Sequence, residues 1–314
     1  MPAPATTTFL LPAAARLGRQ RLSGRNAALL GRGRRGSDGE AGRRAQLLRH
    51  FPLHASGWPI AALARQAEVG DAADAAWLRA DPAWLRPDIN GVRLFAHGEA
   101  LAVTEDERDG FLSALRPLFG DAGFALDAPH PAHWYLRLPA GTPLPAFPDP
   151  GDALGEDLFD HLDTGPEGRR WRALASEAQV LLHNHPLNAR RVARGQAPVN
   201  ALWFWGGGRL PAAPAAGACP DVFSDDDTAR ALAATGGRAA PLPEGFAGAG
   251  GVYDLEGSRD LAWIESAWLA PALAALRAGR IGALALDAGD GWRFALRRGD
   301  LWRLWRRPLA WPGA

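Results

Sequence analysis

Residues 179–211 constrain the fold more than any other stretch, because a helix end, a proline and a run of three glycines fall within one short span. Trp171, Leu174, Val180, Leu181 and Leu182 suit one face of a helix running into His183. Pro186 biases His185 away from helical angles, so the helix is predicted to stop there, leaving His183, His185 and Asn188 near its carboxyl end. Asn200 to Trp205 reads as a short buried strand that ends at Gly206, Gly207 and Gly208. A polar turn thus meets a glycine turn at a strand end, where open α/β sheets place their ligands.

The same stretch carries a resemblance. His185-Pro186-x-Asn188, followed by Arg191, Gly195, Pro198, Asn200, Trp203, Trp205, Gly206 and Gly208, resembles the His-Pro-Val-Asn block of archaeal-type, cofactor-independent phosphoglycerate mutases. It resembles still more closely a divergent bacterial offshoot, the regulation-of-pathogenicity-factors type E (RpfE-like) proteins, with which similarity extends to Trp84–Leu94, His133–Leu138 and Gly279–Trp305. The resemblance implies an α/β fold: a degenerate alkaline-phosphatase/phosphoglycerate-mutase-like mixed sheet with helices on both faces and an inserted α+β lobe. It also implies that His185, Asn188, Arg191 and Asn200 lie beside a bound phosphorylated acid. Within that family, two divalent metals held by aspartates and histidines activate a serine that carries the phosphoryl group. This chain departs from the pattern where the reaction would occur. Leu11-Pro12-Ala13-Ala14 stands in place of an Asp-Gly strand end, and no Asp-His-x-Thr-Pro segment follows near the carboxyl terminus. The expectation is a pseudoenzyme with no metal and no cofactor, acting as a regulatory protein that binds a metabolite or another protein.

The amino-terminal strand is expected at Thr6–Leu11, between prolines. Together with residues 175–314 it is assigned to the core, with 1–60 and 175–314 as the α/β body and 61–174 as the inserted lobe. Residues 18–42, rich in Arg and Gly, read as a mobile loop. His50 and His54 are assigned to surface or capping positions, since no acid lies near them in sequence. Thr104 and Glu107 form a capping-box pattern at the start of a helix. His133–Leu138 alternates as a strand burying Trp134, Leu136 and Leu138, with Tyr135 and Arg137 on the other side. The acidic run Ser224–Thr228 suits a helix start better than a metal site. Ile281–Leu286 and Trp292–Leu296 form a hairpin, and Leu301–Arg307 a terminal helix with packed rings.

Arg86, Asp88 and Asn90 offer donors and acceptors that suit a small anionic ligand, and an Asx turn accounts for them equally well. The candidate ligand-binding set is therefore Arg86, Asp88, Asn90, His183, His185, Asn188, Arg191, Asn200, Trp203, Trp205, Gly206, Gly207 and Gly208, with a small phosphorylated or carboxylate metabolite as its occupant. Asn188 and Asn200 equally suit a purely structural tie between helix end and strand.

Two other functions remain open: an active mutase or phosphatase with an unrecognised metal site, and a nucleic-acid-binding regulator using the Arg-rich segment. All 35 basic residues are arginine, yet the net charge is only +1, which counts against nucleic acid. Apolar residues at 47% and 13 tryptophans mark a chain able to bury a core. One cysteine, Cys219, excludes an intrachain disulfide, and no apolar run is long enough to span a bilayer, so the expected location is the cytoplasm, away from membranes.

Overall fold

The computed structural model describes residues 5–51, 57–88, 91–153, 165–212 and 219–309. The chain divides into two compact units, Met1–Leu53 with Ala213–Ala314, and His54–Ala212. The first unit opens with strand β1 (Thr6–Leu11), helices α1 (Ala14–Leu17) and α2 (Gly24–Leu30), strand β2 (Arg34–Arg35) and helix α3 (Arg43–Leu48). The second unit comprises α4 (Ile60–Glu68), β3 (Ala76–Asp88), β4 (Gly91–His97), α5 (Glu105–Asp121), β5 (Ala125–His130) and β6 (His133–Leu138). It continues with α6 (Pro150–Ala153), α7 (Pro166–His183), α8 (Pro186–Ala193) and β7 (Ala201–Arg209). The chain returns to the first unit for β8 (Val222–Phe223), α9 (Asp227–Ala233), β9 (Ala239–Ala240), β10 (Gly251–Asp254) and α10 (Leu261–Trp263). A π-helical stretch over Ile264–Leu269 leads to α11 (Ala270–Arg277), and the hairpin of β11 (Ala283–Ala288) and β12 (Arg293–Arg297) follows.

The first unit is α/β with a mixed sheet, and the second is α+β with an antiparallel one. In the first unit the strand order is β2-β12-β11-β1-β10-β8-β9. β1 runs parallel to β10 and β11, β8 parallel to β10 and β9, and β12 antiparallel to β11 and β2, so the sheet is mixed. Thr7 to Leu11 are buried without alternation, as expected of a strand covered on both faces. Phe9 meets Tyr253 and Trp268 edge to face, with ring centroids 5.9 and 5.8 Å away, at the centre of a core that α11 completes. Because the parallel strands share one direction, Leu11, Ser224, Asp254 and Asp287 gather at or just beyond the same edge.

The second unit is built on the long strand β3, which pairs antiparallel with β4, β6 and β7, while β5 closes on β6. Thr104 caps α5 in a full capping box with Glu107, as predicted. Pro117 lies inside that helix, whose Phe111, Leu112, Leu115 and Phe119 reach the core beneath β3.

Several expectations change. Residues 175–212 lie in the second unit, because β7 satisfies its backbone against β3 in antiparallel pairing. Six consecutive buried positions in β7 fit a parallel or an antiparallel buried strand equally, so periodicity alone did not decide its sheet. The Arg/Gly segment is threaded into the first unit: Ser23 caps α2, β2 extends the sheet beside β12, and Gly33 is packed against Phe294 and Ala295. Pro186 starts α8 rather than merely ending α7, since proline at the first helical position loses no hydrogen bond. Strand β7 continues through the three glycines to Arg209 instead of turning at them. Tyr135 lies opposite Trp134, Leu136 and Leu138 on β6 as expected, but that side is covered as well, and its hydroxyl is bonded to Glu68. The terminal segment forms a 3-10 turn over Arg298–Trp302, and the Trp302 and Trp305 rings are 80% and 78% exposed rather than packed.

Candidate functional site

At the carboxyl edge of the first unit's sheet, three carboxylates meet cations of the chain itself. Asp254, at the end of β10, accepts hydrogen bonds from both terminal nitrogens of Arg43 on α3, one of them at 3.1 Å, and from the Ser224 hydroxyl at 2.7 Å. The same guanidinium reaches Asp226, 3.1 Å away, while Asp226 caps α9 through the amide of Ala229. Burial works against the Arg43 charge, and Asp254 and Asp226 more than restore it, so its pKa lies above the ordinary arginine value. A cavity of about 410 Å³ opens beside this cluster, lined also by Asp225, Glu256 and Trp263.

Asp287, at the end of β11, is held in the same way. Arg49 grips its two oxygens at 2.9 and 2.6 Å, and His50 Nε2 lies 2.9 Å from one of them. Burial alone would raise the Asp287 pKa; the bonds from His50 and Arg49 outweigh it and hold the carboxyl below the usual range. Gln46 ties the two clusters together, donating to the Leu11 and Asp287 carbonyls and accepting from Arg43. A second cavity, about 320 Å³, is lined by Arg34, Arg35, Arg49, His50 and Arg293, with Asp287 as its acid.

The sequence-predicted block lies wholly in the second unit, and its polar atoms are largely committed to protein partners. Asn188 is buried; its amide donates to the Leu182 and Val199 carbonyls at 2.7 Å each and accepts from Val199 N–H at 2.8 Å. Arg191 is fully buried, pairing with Glu107 and donating to the carbonyls of Ala197 and Leu101. Asn200 bridges β3 by exchanging two 2.8 Å bonds with the backbone of Leu85, beside the register shift at Trp84/Leu85. The indole nitrogens of Trp203 and Trp205 donate to the Pro148 carbonyl and to Asp81.

His185 is the N-cap of α8 and packs on Phe111 with centroids 4.9 Å apart. Burial, and then the Arg190 charge, lower its pKa, which keeps the capping imidazole neutral. His183 is exposed at the end of α7. Gly206, at φ 65°, and Gly208, at φ 155°, let β7 pass close to Ile60, Ala61 and Pro59, while Gly207 lies under Leu144 and Leu78. These glycines serve backbone approach between elements of the unit. Arg86 is exposed, its guanidinium stacked over the rings of Trp84 and Phe95. Asn90, with Ile89, lies outside the described residues, as does the side chain of Asp88.

Sequence reasoning passed over Arg43, Arg49, Asp254 and Asp287, and took His50 for a residue without an acidic partner. Asp287 is 237 positions from His50, so local spacing could not pair them. The available signal was an aspartate just after an apolar or aromatic residue, Leu286-Asp287 at the end of a predicted strand and Tyr253-Asp254 at the end of one that was not predicted.

No protein-family model matches the chain. Over 62 residues, 20% of its length, it is 37% identical to a probable 2,3-bisphosphoglycerate-independent phosphoglycerate mutase of Geobacter sulfurreducens. Over 65 residues, 21% of its length, it is 38% identical to a 2,3-bisphosphoglycerate-independent phosphoglycerate mutase of Methanothrix thermoacetophila. The matched part spans 16% and 17% of those two curated relatives. A cofactor-independent phosphoglycerate mutase from Thermoplasma acidophilum aligns in structure with TM-score 0.42 and 15% identity, over 93% of this chain and 89% of that one. A Pyrococcus horikoshii protein aligns with TM-score 0.49 and 13% identity, over 94% and 88%.

Proposed function

We propose that this mutase-like chain works by binding a small anionic metabolite and does not turn over phosphoglycerate through bound metals. The local similarity to phosphoglycerate mutases supports the mutase-like part of the reading. One observation carries the rest: Arg43 is seated between Asp254 and Asp226 at the carboxyl edge of the first unit's sheet. A metal-dependent phosphoryl-transfer centre needs carboxylates and imidazoles whose lone pairs turn toward the ions, so that the transferring oxygens are polarised. Here the lone pairs of Asp254 meet guanidinium and hydroxyl donors, and those of Asp287 meet Arg49 and His50. These residues do not fit a two-metal centre, and no metal-routed step follows from them.

The anionic class of ligand follows from the cavity of about 320 Å³, where four arginines and one histidine face a single aspartate. Arg49 is already held by Asp287, whereas Arg35 holds the exposed Asp38 and Arg293 donates to the Ser37 carbonyl and hydroxyl, partners that an anion can replace. A phosphate or carboxylate that displaced Asp38 and Ser37 would meet two guanidinium forks there. Calorimetric titration with 2- and 3-phosphoglycerate tests the assignment. Wild type is expected to bind, and the double variant Arg35→Ala/Arg293→Ala to bind at least tenfold more weakly with an unchanged melting temperature. Absence of binding by wild type, or equal binding by the folded double variant, overturns it.

A further inference from the structure

We propose that the exposed Trp302, Leu304 and Trp305 side chains, with the arginines that flank them, form a surface by which the first unit docks on an anionic lipid bilayer. The proposal goes beyond the anion-binding reading and does not use Arg35 or Arg293. It also departs from the sequence-based expectation of a chain that keeps away from membranes. Among the described residues no helix is long and apolar enough to cross a membrane, and docking on the surface of one needs none.

Three large apolar side chains within four positions face water here: Trp302 is 80%, Leu304 69% and Trp305 78% exposed. Among the described residues these are the three most exposed large apolar side chains. Single exposed apolar residues are ordinary on a protein surface; three adjacent ones, two of them indoles, make a patch.

The segment that carries them is pinned at both ends. The Arg32 guanidinium donates to the Leu301 carbonyl at 2.8 Å, and the Leu309 amide donates to the Ala27 carbonyl at 2.8 Å. Leu301 and Leu309 both pack against the first unit's core. Gly31, just past the end of α2, lies so close to the Arg307 carbonyl that a Cβ there would collide with it. Between these anchors Asp300 accepts the Arg297 amide at 3.0 Å and pairs with Arg303 at 2.9 Å, which closes the 3-10 turn. A backbone fixed by these bonds presents the rings outward.

Charge decides what such a patch can meet. The whole chain has a net charge of +1, yet residues 293–307 hold six arginines and one acid. That acid, Asp300, is buried and already paired, with Arg303 and, at 3.7 Å, with Arg34. Arg297, Arg298, Arg306 and Arg307, on either side of the rings in sequence, are exposed. Indoles and a leucine among guanidinium groups complement a surface that is apolar below and negatively charged above. In a bilayer the indoles sit at headgroup level, the leucine reaches the acyl boundary, and the arginines lay their stems along apolar surface while their forks meet lipid phosphates. An uncharged protein face would leave the arginines without partners. A single-stranded nucleic acid would stack on the indoles and leave Leu304 in water.

Co-sedimentation of the full chain with sucrose-loaded vesicles tests the surface, using phosphatidylcholine alone or phosphatidylcholine and phosphatidylglycerol in equal parts. Wild type is expected to bind the mixed vesicles at least roughly tenfold more tightly than the neutral ones, and to be released as sodium chloride rises. Trp302→Ser/Trp305→Ser is expected to bind them at least roughly tenfold more weakly with an unchanged melting temperature, because both rings are exposed. Arg306→Gln/Arg307→Gln should weaken binding to the mixed vesicles and leave the response to neutral ones unchanged. Val180→Ser/Val192→Ser, which removes exposed apolar side chains from the second unit, should bind as wild type does. Failure of wild type to bind the mixed vesicles overturns the proposal, as does equal binding by the folded tryptophan variant. Wild type that ignores vesicles but binds a single-stranded oligonucleotide, or dimerises, through these rings gives the patch to nucleic acid or to a second copy, and the proposal falls.

Discussion

Arg191 and Arg43 look alike in sequence and differ in what surrounds them. Arg191, in the second unit, is fully buried and closed: one carboxylate, from Glu107, and two carbonyls take its donors. Arg43, in the first unit, keeps 16% of its side chain exposed beside a cavity, holds two carboxylates, and its Nε finds no hydrogen-bond partner. Arg191 belongs to the motif-dense stretch and braces α8 to the start of α5. Arg43 comes from an Arg/Gly-rich region and stands where ligands of parallel sheets gather. Density of polar residues in sequence therefore marked a structural joint, while the chemistry-bearing edge was assembled from distant single residues.

The largest effect is expected at the closed arginine. Arg191→Ala leaves Glu107 buried without its charge partner, so unfolding in urea should show a loss of about 3–5 kcal/mol. A loss near zero would place Arg191 on the same footing as a surface residue and remove the contrast. Next comes Leu30→Ala, in the Arg/Gly segment: Leu30 is fully buried in the first unit's core, and the variant should lose about 2–4 kcal/mol. Full stability there would restore the mobile-loop reading of residues 18–42.

Arg43→Met sharpens the comparison differently. Water reaches Asp226, which is 38% exposed, but not Asp254, which is 4% exposed, so a loss of about 2–3 kcal/mol is expected, below that for Arg191→Ala. The freed Asp254 and Asp226 should then draw a divalent cation, seen as a manganese-dependent rise in melting temperature that wild type lacks. Arg191→Ala should show no such rise, since one carboxylate remains there.

The Asp287 cluster yields a pH effect. Its folded pKa is depressed below the unfolded value, so its stabilisation is complete above the unfolded carboxylate pKa of about 4 and drains as pH falls through the folded value. Asp287→Asn should flatten the acid limb of stability against pH, measured by denaturant midpoints between about pH 5 and 2. An acid limb identical to that of wild type would mean that the Arg49 and His50 bonds do not hold in solution.

Much of the local structure was legible. The β1 strand, the Thr104–Glu107 cap, the helix into His183 and the β11–β12 hairpin follow from local patterns, each set by neighbours within a few residues. Assignment of β7 to a sheet was not legible, because its apolar run is buried on both sides and its partner β3 lies more than a hundred residues away. The site was least legible. Asn188 and Asn200 offer in sequence the same amides whether a ligand or a backbone fills them, and only the fold shows Leu182, Val199 and Leu85 there. Arg43 with Asp254, and His50 with Asp287, are pairs that no spacing rule connects.

The central claim is that the chain's own arginines neutralise the carboxylates at the first unit's sheet edge and leave no metal-dependent phosphoryl-transfer centre. Interconversion of 3- and 2-phosphoglycerate by the wild-type protein, assayed separately with manganese, cobalt, magnesium and zinc, tests it most directly. The account predicts no turnover above the protein-free rate with any of these ions. Turnover that depends on an added metal and disappears in Asp254→Asn would contradict it.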